Sequence, residues 1–79
     1  MYFIAVILVI IGDFGKPETF KLINENFYFN TKAQCQEYLR ANESIIRLSI
    51  EKAFNFYNLK LESIEKVYCE NPNERQVHL

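Results

Sequence analysis

Residues 30–58 read NTKAQCQEYLRANESIIRLSIEKAFNFYN, a stretch without glycine or proline. Nothing in it breaks an α-helix, so it predicts one long helix with the rest of the chain packed against it as strands. The start is marked by Thr31 followed by Gln34, the spacing of a capping box. There the Thr hydroxyl accepts a backbone N–H one turn in and the Gln amide reaches back; Asn30 is the alternative cap. At 100° per residue, Cys35, Leu39, Ile46, Ile50, Ala53 and Tyr57 share one face, the expected inner one. The phase does not slip at Asn42-Glu43-Ser44, so one helix is favoured over a two-helix hairpin, which would reset it.

The opposite face is polar. Glu43, Arg47 and Glu51 are spaced for helical ion pairs worth about 0.2–0.5 kcal/mol each, and Glu37, Arg40, Asn55 and Asn58 share that side, as expected of a solvated surface. A second apolar stripe, Ala41, Ile45, Leu48 and Phe56, is rotated from the first. An apolar arc this wide predicts burial on more than one side, or scattered exposure.

Composition sets bounds. A chain of 79 residues is one domain and leaves apolar surface hard to cover. Its 49% hydrophobic content argues against disorder and for a packed core. Nine basic and ten acidic residues, net −1, leave no basic stripe for nucleic acid. No His/Cys/Asp/Glu spacing suggests a metal site, and no cofactor motif is present.

Residues 2–11, YFIAVILVII, are an unbroken apolar run. The run is too short to span a membrane, for which about 20 residues are needed. It lacks the positive flank and cleavage site of a signal peptide. Its β-branched content and its end at Gly12-Asp13 predict a strand. Phe3, Ala5, Ile7, Val9 and Ile11 then point one way, and Tyr2, Ile4, Val6, Leu8 and Ile10 the other. A strand apolar on both faces needs cover on both, yet only one helix is available. Gly12 and Gly15 punctuate a loop without the Lys-Ser/Thr of a phosphate loop. Residues 19–29 predict a second strand interrupted at Asn24-Glu25-Asn26, and residues 64–70 a third; Leu59-Lys60-Leu61 is a connector or its first part. Residues 70–79 read as a polar tail, with the lone His78 expected at the surface.

The order strand–strand–helix–strand, with a right-handed crossover, predicts an α+β fold. It is β-β-α-β, with a three-stranded antiparallel sheet of order 2-1-3 packed on one long helix. The helix then starts where strand two ends, and strand three, parallel to strand two, finishes at that same edge. Cys35 and Cys69 are thereby expected close together, as a disulfide or as proximal thiols. A disulfide needs Cα atoms about 4.4–6.8 Å apart and would stabilise by roughly 2–4 kcal/mol.

The apolar opening strand, the Gly/Pro loop, Phe29-Asn30-Thr31 with Cys35 and Tyr38-Leu39, and the closing Val67-Tyr68-Cys69 resemble small uncharacterised proteins of phages and environmental bacteria. The resemblance implies no activity. The abundance of Ile, Asn, Lys and Phe suits an AT-rich source, such as a marine microbe or its phage.

The functional expectation is a small non-enzymatic interaction module acting as a homodimer. Its contact is expected among Ile4, Val6, Leu8, Ala41, Ile45, Leu48 and Phe56. A catalytic reading would have to use Cys35, Cys69 and Tyr38, and no convergent titratable set forms around them. No cofactor, nucleic acid or membrane partner is expected. The lack of a clear signal suggests the cytoplasm. The alternatives are a small ligand-binding domain, or a secreted or membrane-anchored disulfide-containing factor, exported if residues 1–11 act as a signal.

Overall fold

A computed structural model describes residues 1–72. Most of the expected tail, including His78, lies outside the described residues. The elements are β1 (Tyr2–Ile11), β2 (Pro17–Phe29), α1 (Lys32–Phe56) and β3 (Leu61–Glu70). The sheet order is β2-β1-β3, and β1 runs antiparallel to both neighbours. The most apolar strand is therefore central, as its two apolar faces require. β3 begins at Leu61 rather than Ile64 and ends at Glu70, as the third strand was expected to.

The helix is single and unbroken. Thr31 is its N-cap, and the Thr31 hydroxyl accepts the Gln34 backbone N–H at 3.2 Å. Its end is a Schellman motif. Asn58 takes φ 61°, its N–H donates to Asn55 O, and the Leu59 N–H donates back to Phe54 O at 2.8 Å. Asparagine tolerates this left-handed position better than most residues, so the chain can leave the helix without a glycine. The β1–β2 connection is a tight hairpin. Gly12 N–H donates to Lys16 O and Gly15 N–H to Gly12 O, with Gly15 at φ 74°. Those amides serve the turn, and β2 opens on Pro17, where a missing N–H does least harm.

Ile4, Val6, Leu8 and Ile10 of β1 face the helix. Val6, Leu8 and Val67 form the buried core, and Leu39, Ile46, Ile50, Phe54, Leu61 and Ile64 pack around it. The inner helix face departs from expectation at its end: Ala53 and Tyr57 are exposed, and Phe54 is partly buried instead. The contact follows Ile46, Ile50 and Phe54, a row of residues four apart that is inclined to the helix axis. A face drawn parallel to the axis misses that drift.

The polar face needs a correction as well. Arg47 pairs with Glu43 as spaced, at 3.0 Å, but its Nη1 also donates to the Ile64 carbonyl of β3 at 3.1 Å. Ile64 borders an irregularity, because Ile7 pairs with Lys66 while Leu8 pairs with Ile64, leaving Glu65 as an extra residue. Arg47 thus ties the helix to the β3 edge at a bulge rather than sitting wholly in solvent.

The far face of the sheet supplies much of its own cover. Lys21 on β2 forms an ion pair with Glu70 on β3, and Glu70 also accepts from the Tyr68 hydroxyl at 3.2 Å. Lys21 lies opposite Ile7 and Glu70 opposite Phe3, so the bridge crosses β1 above Ala5. Ala5 is completely buried, although the helix lies on the other face. Phe3 meets Tyr28 edge-on, with ring centres 6.4 Å apart, and the Lys66 ammonium stands 4.8 Å from the Tyr68 ring centre. The stems of long charged side chains cover apolar surface while their heads stay hydrated. Phe3, Ile7 and Val9 are accordingly half-buried, not bare.

Only a small residue fits beneath that bridge. Ala5→Leu is expected to lower stability by about 1–3 kcal/mol, the usual effect of overpacking, read as a lower thermal midpoint. An unchanged midpoint would mean that the bridge does not rest on Ala5.

Candidate interaction site

The topology brings the two cysteines together. Cys35, in the first helical turn, and Cys69, near the end of β3, form a disulfide with Cα atoms 6.1 Å apart. The crossover helix returns the chain antiparallel to β1, so the start of α1 and the end of β3 meet at one edge of the layer. Cys35 is completely buried. Bonded to each other, the cysteines offer no thiolate nucleophile. Tyr38, the third residue a catalytic reading would use, packs against Phe27 and Phe29 with ring centres 5.1 and 5.4 Å away. Among the described residues no group of three or more His, Cys, Asp or Glu could hold a metal ion. No helix there is long and apolar enough to cross a membrane.

The helix is not centred on the sheet. It lies mainly over β3 and touches β2 least. Tyr38 covers the end of β2 at Phe27 and Phe29, and the rest of its helix-facing side is left without a roof. Leu8 pairs with Phe20 and Val6 with Leu22, which places both β2 side chains on that side, and each is more than two-fifths exposed. An open cleft of about 270 Å³ runs between β2 and α1. Ile4 and Val6 form its floor, Leu22 and Phe27 one wall, and Tyr38, Ile46 and Ile50 the other. Among the described residues that line it, Asn24 is the one other polar side chain besides the Tyr38 hydroxyl, and none carries a charge.

The residues expected at a subunit contact fall into two groups. Val6 and Leu8 are buried in the chain's own core, and Ile4 is partly buried with them, because β1 turns these side chains toward the helix. A second chain could reach Leu8 only by displacing α1, and Ile4 and Val6 only through the floor of the cleft. Ala41, Ile45, Leu48 and Phe56 are exposed on the helix. The open apolar surface thus lies on the helix side of β2 and on the helix flank, not on the outer face of β1. Phe20, Leu22 and Phe27 were legible as strand residues. What could not be read was where over the sheet the helix would come to rest.

The chain matches no family model, no curated protein and no solved structure. The fold and the site together define a class: a small α+β domain of β-β-α-β order, with a disulfide joining helix and sheet and an apolar cleft open along one sheet edge.

Proposed function

We propose that this chain is a small, non-enzymatic protein-interaction domain of an oxidising compartment, working as a homodimer. The observation that carries the compartment is the Cys35–Cys69 disulfide. Such bonds persist outside the reducing cytoplasm and are rare within it. The cytoplasmic expectation rested on the weak signal character of residues 1–11, and the disulfide weighs against it. Removal of residues 1–11 as a signal has no part in this reading, because that segment is the central strand of the sheet.

Binding is favoured over catalysis by the chemistry of the cleft. Its lining is mostly apolar, with Tyr38 as the one titratable side chain among the described residues, and both cysteines are spent. A site for a small ligand is less well served, since ligand pockets are typically about 300–1,000 Å³ and enclose most of their guest. This cleft is smaller and open along its length.

Thiol trapping in the source cell tests the compartment. The mature protein should retain residues 2–11, resist alkylation before reduction, and take up two labels afterwards. Two labels without reductant would place the working protein in a reducing environment and defeat the reading. Loss of the first strand from the mature chain would defeat it too.

A further inference from the structure

We infer that two copies of this chain join along their β2 edges, antiparallel about a two-fold axis, into one six-stranded sheet. This rests on the homodimer reading above and names its interface. The two edges of the sheet are built differently. The β3 edge lies under the helix, is tied by Arg47 to the Ile64 carbonyl, and slips register twice against β1. Bulges and covering side chains of this kind blunt an edge against pairing. Residues 17–23 of β2 pair with β1 without a slip, and no described strand lies on their other side. An edge lysine is the usual guard, but Lys21 is turned to the far face and held by Glu70.

The area fits a second copy. Phe20, Leu22, Phe27 and Tyr38 are 36–44% exposed, and Ile45 on the neighbouring helix flank is 62% exposed. At about 200 Å² for each large side chain, they offer roughly 400 Å² of apolar surface per chain. A standard interface takes about 800 Å² from each partner, a little over half of it apolar. The backbone edge and polar rim supply the remainder. A strand paired with its own copy is self-complementary, as a two-fold contact requires. Charge selects the register. Centring on Lys21 sets one ammonium against the other. Centring on Phe20 puts the two rings opposite each other, Lys21 against Thr19 and Glu18 against Leu22, with no like charges facing.

The test uses the full oxidised chain, with mass measured by light scattering or sedimentation across concentration. The wild type should be dimeric at tens of micromolar. Leu22→Glu should weaken the dimer by about 100-fold or more, since each new carboxylate then stands opposite the other copy's Glu18 in an apolar seam. Ile7→Thr, on the outer face, should leave it intact. A wild type that stays monomeric at high micromolar overturns the homodimer reading and this inference together. A dimer indifferent to Leu22→Glu but lost with Ile7→Thr or Leu48→Glu keeps the homodimer and overturns the β2 interface. Should Leu22→Glu fail to fold, amide exchange of the wild type decides. Protection of residues 18–23 should rise with protein concentration while that of β3 does not; protection independent of concentration in a dimer overturns the inference.

Discussion

Replacing Cys35 and Cys69 with serine together is expected to lower the thermal midpoint by roughly 15–30 °C. The bond closes a loop with a sequence separation of 34. Cross-linking a loop of that length restricts the unfolded chain by about 4 kcal/mol in the chain-entropy account. A domain of this size has a total stability of only about 4–12 kcal/mol, so the loss is a large share of the whole. The position sharpens the effect. The disulfide fastens the first helical turn to the end of an edge strand. Without it, the helix keeps its hold on β3 through core side chains and the Arg47 bond to Ile64. Differential scanning calorimetry of the double serine variant, or of the wild type with and without reductant, measures the difference. A fall of less than about 5 °C would mean that the bond restricts the unfolded chain far less than its loop length implies.

Leu8→Ala should be of comparable size, at about 2–5 kcal/mol. Leu8 is the largest side chain of β1 that is fully buried, 1% exposed, and it sits at the middle of the central strand beneath α1. Truncation removes apolar contact and leaves a void that a strand paired on both sides cannot collapse to fill. Urea unfolding should show a lower midpoint with an unchanged slope, because the surface exposed on unfolding hardly changes. Val9→Ala makes the contrast. Val9 lies on the outer face and is half-buried, so its truncation should have a clearly smaller effect. Equal losses at the two positions would show that the helix side is not the main core.

The long helix was legible because its signals are local: a Thr31 cap, an unbroken apolar phase, and no glycine or proline. The Schellman end was marked less plainly, by Asn58 standing where glycine is usual. The sheet order followed from one pattern, since residues 2–11 are apolar on both faces and so must be central. The nearness of Cys35 and Cys69 came from connectivity alone, because a single crossover helix returns the chain to a fixed edge. The candidate site was less legible. The outer face of β1 looked bare in sequence, yet Lys21 and Glu70, forty-nine residues apart, meet above Ala5 and shield it. Ile4, Val6 and Leu8 looked available, yet the helix covers Leu8 and leaves Ile4 and Val6 only as the floor of the cleft.

The sequence by itself determined the elements, their order in the sheet and the edge at which the cysteines meet. Each of these follows from local periodicity or from the path of the chain. Only the tertiary structure decided which apolar surface stays open. That depends on where the helix settles across the sheet, and so on Arg47 reaching Ile64, on Phe54 rather than Tyr57 turning inward, and on the disulfide drawing the first helical turn toward β3. These are contacts between residues distant in the chain, and no pattern within one element encodes them. With the helix drawn toward β3, the helix side of β2 around Phe20 and Leu22 is the surface left uncovered.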